Sequence, residues 1–555
     1  MTGIDWTIVV IYLLGVVGLG VAAGALRWRS DAGGSGRRYF LADNGLTWPV
    51  IGLAMFAANI STVHLVSLAE AAYKFGLVFG NFEWMAGFTL ILLSLFFAPL
   101  YLRSRVATLP DFLERRFNRG CRDVLSVVSL FSAIVIHMGV ALYTAAWVLR
   151  GILGLAPNAT ILGVNALTVF IIALGVLTGI YTTVGGLLAV VWTESVQTIL
   201  LLTGAVVVTV AGYVKIGGWT SLSETLSANP HPLPGAAGRT ADFLHMARGA
   251  HDASGLPWYS ILLGYPVLGI WYWCCDQTIV QRTLAAKDER NARLGPLFCA
   301  FLKILPVFFF VLPGVICVGL VQRHAFGGDA PATAADTYTF LLTHLLPSGL
   351  KGLVAAAMLA AAMQTCSAAL NSTATLVAYD LWKRWRPAAT DGQLVSVGKL
   401  TTVIGTVLAI ACSPLFGHYT TIFEGINKLI SYVAPPITAV FLLGVFWKKA
   451  SGKAAFITLL AGTALGGIVF ALDWSGLFHG DFLLLAFELF VVCVAIMVTA
   501  SHLYPETLRA EARLLVWEDW REPLFGSQGG RSLTGYRVCA ATAVAVFVGL
   551  YVQFR

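Results

Sequence analysis

Residues 47–72 read TWPVIGLAMFAANISTVHLVSLAEAA, an apolar run carrying Ala57-Ala58-Asn59-Ile60-Ser61-Thr62 at its middle and His64 just beyond. The run is long enough to cross a ~30 Å hydrocarbon layer, for which about 20 residues suffice. Its centre is wrong for a plain span, because polar and small residues there predict an interrupted helix. A broken helix is tolerated in lipid only where protein or a cavity partners the freed backbone groups. Residues 256–281 read LPWYSILLGYPVLGIWYWCCDQTIVQ and place a second interruption at Gly264-Tyr265-Pro266 and Gly269. Four further apolar spans follow each interrupted one. Such a pair in corresponding positions of two halves marks a secondary transporter built from inverted repeats. Either break alone reads equally well as a packing kink.

The rest of the chain agrees with a polytopic membrane protein. Of 555 residues, 58% are hydrophobic and only 12% charged, about half the charged share of ~25% usual for soluble proteins. Mean hydropathy is +0.79. The apolar runs give fourteen spans, at 5–26, 47–72, 77–102, 124–149, 159–180, 186–214, 256–281, 297–320, 350–382, 396–415, 419–447, 454–472, 481–502 and 534–553. With the N-terminus outside, most of the 36 lysines and arginines fall inside, as the positive-inside rule requires. The net charge of +8 is therefore topological and excludes nucleic acid as the expected partner. Both termini are expected outside.

The first span lacks a basic leading segment and is followed by arginines, so it reads as a retained helix rather than a secretory signal. The nine cysteines and ten histidines show neither disulfide nor metal-ligand spacing. No phosphate-binding glycine loop of an ATP-driven pump occurs. Segments 216–255 and 321–349 read as outer loops. Segment 503–533, with Glu506, Arg509, Glu511, Arg513, Glu518 and Asp519, reads as a solvated amphipathic helix inside. The expected organisation is an extra helix and loop over 1–46, a first five-helix repeat over 47–215, a loop over 216–255, a second repeat over 256–449, and extra helices over 450–555.

Ionisable residues inside spans cost several kcal/mol unless paired or hydrated, and so default to function. Glu83, Glu194 and Lys303 stand well inside spans, and His64 joins them. A carboxylate, an ammonium and an imidazole, with the Asn59 amide, supply donors and acceptors suited to a polyhydroxylated neutral solute. An interhelical salt bridge is the other reading of Glu83 and Lys303. Trp271-Tyr272-Trp273 could stack on a sugar face or simply pack.

Phe56-Ala-Ala-Asn59-Ile-Ser, Glu83-Trp84, Ala189-Val-Val-Trp-Thr-Glu194, Tyr272-Trp-Cys-Cys-Asp276-Gln277, Leu370-Asn371-Ser and Pro435-Pro436-Ile-Thr resemble the sodium/solute symporter family. The closest branch is the sodium/glucose cotransporters and their bacterial sodium/galactose relatives. The resemblance implies an all-α, leucine-transporter-like fold with a 5+5 inverted repeat, one helix before it and three after. It carries the family's sugar pocket onto Asn59, His64, Glu83, Trp273, Lys303 and Asn427, the last standing where the sugar transporters have glutamine. It carries the inner gate onto Tyr272 and the outer lid onto Leu68, Phe82 and Phe423. Sodium falls on the carbonyls of Ala57, Ile60 and Ala361 with side chains from Gln364 and Thr365, and Gln364 replaces a family hydroxyl. A second sodium site, which some members have, falls on Ala58, Ser367, Ala368 and Glu194; two hydroxyls are missing there, so one sodium per solute is expected.

The expected function is sodium-coupled import of a sugar or polyol, hexose favoured, by a protein embedded in the lipid bilayer without an obligatory protein partner. The alternatives are a sugar-gated sensor or conductance on the same fold, and a sodium symporter of another small solute such as myo-inositol or an amino acid. An enzyme is not indicated, because no nucleophile–base pair or metal-ligand motif stands out. Short loops without cysteine favour a bacterial inner membrane.

Overall fold

The computed structural model describes residues 2–30, 44–156, 158–229, 239–418, 422–477, 480–525 and 534–555. Side chains at 17, 19–30, 62–63, 184–196, 418, 422, 424 and 534 are outside the described set. The chain is helical almost throughout. The longer helices are α1 (Gly3–Ser30), α2 (Trp48–Asn59), α3 (Thr62–Phe75), α4 (Asn81–Leu92), α5 (Arg119–Phe131), α6 (Val140–Ile152) and α7 (Ala166–Ile216). There follow α8 (Trp258–Ile270), α9 (Gln277–Leu284), α10 (Glu289–Leu302), α11 (Leu350–Leu376), α12 (Asp391–Cys412), α13 (Ile422–Phe446), α14 (Gly452–Trp474), α15 (Phe482–Leu503) and α16 (Thr534–Gln553).

Among the described residues, eleven helical stretches are long and apolar enough to cross a bilayer. The expected fourteen spans differ from this number for local reasons. In the expected span 5–26 only Gly3–Val16 falls within the continuous stretch of described side chains, the interrupted spans are cut into pieces too short to qualify alone, and His64–Ser104 runs on as 41 helical residues where two expected spans meet.

The first interruption lies where the sequence places it. Helix α2 ends at Asn59, Ile60 is extended (φ −75°, ψ 115°), and α3 starts at Thr62. The second does not. Gly264 and Pro266 remain inside α8, and the chain breaks instead at Asp276 (φ −85°, ψ 125°), after a wide π-helical turn over Trp271–Cys275. Glycine at 264 serves close packing, because a Cβ there would stand 2.1 Å from the Leu483 carbonyl oxygen of α15. Asp276 starts the next helix by accepting the Thr278 amide at 2.8 Å, an N-cap that fixes where α9 begins.

Two other expectations change. The span expected at 159–180 begins late, because Thr160–Ile161 and Val164–Asn165 pair as a small hairpin. Its turn residues Leu162 and Gly163 both have positive φ, as a two-residue hairpin loop demands, and the Asn165 side chain then caps α7 at Leu167. Segment 503–533 is no amphipathic helix in its described part, 503–525, which has only single turns at Ala510–Arg513 and Glu522–Phe525. Its charges cap neighbours instead: Glu506 accepts the Gly452 and Lys453 amides at the start of α14, and Arg509 donates to the carbonyls of Glu114, Arg115 and Phe117. Burial, helped by the nearby Arg509 charge, pushes the Arg116 guanidinium down to about 10. The extra helix α1 is fastened similarly, with Asp5 accepting the amides of Gly349 (2.6 Å) and Gly352 (3.0 Å) at the start of α11.

Candidate functional site

The α2–α3 interruption exposes backbone that an intact helix would satisfy internally. In an unbroken helix the amides of Ser61 and His64 would bond the carbonyls of Ala57 and Ile60. Here Ser61 N–H turns to His64 Nδ1 at 3.3 Å, and His64 N–H turns to the Ser61 carbonyl at 3.0 Å. The Ala57 and Ile60 carbonyls thus lose these two amide partners at one kink. Helix α11 packs against both α2 and α3. It brings Thr365, whose hydroxyl lies 3.4 Å from the Ala361 carbonyl, and the fully buried Gln364. Carbonyls, an amide and a hydroxyl are all oxygen donors, the kind that suits a small hard cation.

Beside this kink is a cavity of about 150 Å³, lined by Asn59, Ser61, His64, Glu83, Trp273, Lys303 and others. That volume holds on the order of ten waters, enough for one small polar solute. Lys303, at the C-terminal end of α10, is buried and donates to Glu83 Oε2 at 2.5 Å and to Asn59 Oδ1. Its ammonium also lies 5.3 Å from the Trp273 ring centre. Removing two such charges from water is costly, so the pair stands only because each has a partner. Glu83 Oε1 faces His64 Nε2 at 3.7 Å, a gap longer than a hydrogen bond and open to a bridging hydroxyl. Because Ser61 N–H donates to Nδ1, the neutral imidazole carries its proton on Nε2 and offers it toward the cavity.

The two interruptions touch here: Asn59 Nδ2 donates to the Tyr272 hydroxyl at 3.1 Å. Tyr272 packs edge-on to Trp273 at 5.1 Å and lies 5.7 Å from the His137 ring. Also on the cavity wall, Phe82 and Phe423 meet edge-to-face at 4.8 Å, with Leu68 among the lining residues. Asn427 lines the cavity from α13, its amide nitrogen tied back to the Phe423 carbonyl at 2.8 Å. Of the expected residues, the cavity wall gathers Asn59, His64, Leu68, Phe82, Glu83, Tyr272, Trp273, Lys303, Thr365, Phe423 and Asn427. Ala57, Ile60, Ala361 and Gln364 are buried outside that wall. The Glu194 side chain lies outside the described residues.

Sequence reasoning missed several groups. His137, on a π-helical stretch between α5 and α6, pairs with Asp276 at 3.2 Å, both buried. A lone histidine in an apolar helix gave no signal, although Asp276 before Gln277-Thr278 is a readable N-cap. Phe79, Tyr265 and Phe482 extend the Phe82 cluster, at ring distances of 6.2, 5.7 and 6.1 Å.

The family model for the sodium:solute symporter family matches residues 39–462. The chain belongs to this family. The symporter is 31% identical to the sodium/mannose cotransporter SLC5A10 of Bos taurus, over 98% of its own length and 95% of the relative's. It is 34% identical to sodium/glucose cotransporter 2 of Rattus norvegicus (83% of the chain, 70% of the relative) and 32% identical to sodium/myo-inositol cotransporter 2 of Homo sapiens (85% and 70%). Its fold matches that of a Na+-coupled sialic acid symporter in an outward-open state, with a TM-score of 0.74 at 21% identity over 91% of this chain and all of the other. The architecture is thus the expected leucine-transporter-like one, in an integral membrane protein. The chain is a sodium-coupled symporter and not an enzyme.

Proposed function

We propose that the symporter imports a sugar or polyol, hexose favoured, together with sodium by alternating access. The observation that carries this reading is the Glu83–Lys303–Asn59 cluster, buried beside His64 and Trp273 in a cavity flanked by both helix interruptions. A neutral solute is indicated because Glu83 and Lys303 already neutralise each other, while Glu83 Oε1 and His64 Nε2–H remain directed at one gap. Hydroxyl groups, which both donate and accept, match that mixed set. Relatives named for mannose, glucose and myo-inositol support the same solute class.

Within this reading, Asn59, His64, Glu83, Trp273, Lys303 and Asn427 bind the solute. Tyr272 bars the inner exit, and Leu68, Phe82 and Phe423 cover the outer side. Sodium is held by the carbonyls of Ala57, Ile60 and Ala361 with Gln364 and Thr365. A sugar-gated sensor is the second reading, favoured only by Gln364, whose longer amide stands where the family has a hydroxyl. Uptake of labelled hexose and myo-inositol into proteoliposomes, with and without an inward sodium gradient, tests both. Accumulation above equilibrium only with sodium supports symport; saturable binding without accumulation supports the sensor.

A further inference from the structure

The charge count assigns the arginine-rich face to the cytoplasm, and there a separate concavity of about 450 Å³ lies between the Ser104–Thr108 loop, the start of α5 and the end of α11. Its walls present Arg105, Arg115, Arg119, Arg122, Lys383 and Arg384 against only Asp111 and Glu114. Internal pairing accounts for half of these cations. Arg115 reaches Asp111 at 3.3 Å. Arg122 is held by Asp380 at 2.6 Å, Glu114 at 2.7 Å and Asp111 at 3.6 Å, and Arg384 pairs with Asp123. Arg105, Arg119 and Lys383 are exposed and have no carboxylate partner among the described residues; Lys383 lies over the Tyr379 ring at 5.4 Å. Helix α5 also starts at this edge. Its Asn118 cap takes the Cys121 amide at 3.1 Å, and the first-turn amides of Arg119 and Gly120 have no partner within the helix. Unpaired cations beside a helix N-terminus make an anion site.

The surroundings indicate which anion. From Arg119 and Asp123 the outward face of α5 continues to Val127 and Phe131, both exposed, and Trp385 beyond the end of α11 is 75% exposed. Exposed apolar side chains on a membrane helix face acyl chains, and tryptophan marks the headgroup level. A cationic pocket that opens onto such a strip has the outline of one phospholipid, phosphate in the pocket and tail along the helix. We infer that the pocket binds the phosphate of an anionic phospholipid in the cytoplasmic leaflet. Thr108 donates to Asp380 at 2.9 Å, so the pocket is fastened to the end of the same helical rod that carries Thr365.

Full-length protein in nanodiscs of phosphatidylcholine, with or without phosphatidylglycerol, tests this by counting lipids retained in native mass spectrometry. Phosphatidylglycerol should be retained preferentially. Each of Arg105→Gln, Arg119→Gln and Lys383→Gln should lower that preference roughly five-fold, from about 1 kcal/mol per basic residue near a membrane surface. The charge-conserving R105K/R119K/K383R protein should keep it. Equal losses on removing Lys287, Arg290 and Lys448 elsewhere on the same face would reduce the effect to general surface charge and overturn the site. Inorganic phosphate that displaces phosphatidylglycerol completely, or retention unchanged in the triple glutamine variant, would overturn the lipid assignment.

Discussion

Glu83→Gln isolates the chemistry of the proposed pocket. The substitution keeps the shape of the side chain and removes its charge. In the wild type, Oε2 accepts from Lys303 at 2.5 Å and Oε1 faces His64 at 3.7 Å. A hydroxyl of the solute bound between Oε1 and His64 would make a hydrogen bond to a charged acceptor, worth about 1.5–3 kcal/mol. Its loss should therefore weaken solute binding roughly 10- to 150-fold. The same change strands the buried Lys303 ammonium, and breaking one partner from a buried pair costs about 3–5 kcal/mol of stability. The two effects separate in the double variant Glu83→Gln/Lys303→Met. It removes both charges, so its unfolding midpoint should recover most of the single variant's loss, while solute affinity stays low. Isothermal calorimetry of the purified protein with hexose gives the affinity, and thermal unfolding in detergent gives the stability. Wild-type affinity in the Glu83→Gln protein would refute the contact, leaving the pair as an interhelical brace.

Four other outcomes follow from the same geometry. Tyr272→Ala should abolish sodium-driven accumulation in proteoliposomes, because both the proposed gate ring and the hydroxyl that accepts from Asn59 are lost; Tyr272→Phe, losing about 0.5–1.5 kcal/mol of hydrogen bonding, should do less harm. His137→Leu leaves the buried Asp276 carboxylate with one fewer donor and should lower stability by about 1–3 kcal/mol in thermal unfolding, with His137→Gln recovering part of it. Gly264→Ala must displace the α15 backbone from a 2.1 Å contact and should cost about 1–3 kcal/mol or prevent assembly, read as loss of the monodisperse peak on gel filtration. One sodium per solute limits accumulation to roughly 500-fold at 100 mV and a tenfold sodium gradient, from ~2.3 plus ~1.4 kcal/mol. A reversal potential indicating two charges per solute would show that Ser367 and Glu194 still build a second ion site.

How much of this was legible in the chain depended on what each residue type can signal. Asn59 and Ser61 amid apolar residues read as a gap or a packing kink, and the gap in α2–α3 is there. Gly264 and Pro266 carry an ambiguous signal, since glycine in a membrane helix permits close packing as readily as it permits a bend. The contact with Leu483 that decides between them is made across hundreds of residues and has no trace in the local sequence. Asp276 did have a local signal, as a side chain able to cap α9. The 503–525 segment misled in the other direction, because charges that cap distant helix ends look the same in sequence as charges on a solvated face. His137 gave no hint, because its meaning comes wholly from Asp276 on another helix.

The position of the first interruption links the proposed ion and solute sites more tightly than proximity alone would. The amides of Ser61 and His64 turn away from the carbonyls of Ala57 and Ile60, and that same turn aims His64 at Glu83. If the α2–α3 kink were straightened, two carbonyls would return to their helix and His64 would leave the cavity wall, removing an ion ligand set and a solute donor together. A ligand shifts a conformational equilibrium only by its differential affinity for the two states. On the proposed sites one backbone rearrangement would change affinity at both places, so sodium on the carbonyls and a hydroxyl on His64 would favour the same kinked state. By linkage the coupling is reciprocal: sodium should tighten solute binding by the factor by which solute tightens sodium. A solute affinity in paired titrations that does not change between sodium-free and sodium-saturated protein would show that the kink is not their shared element.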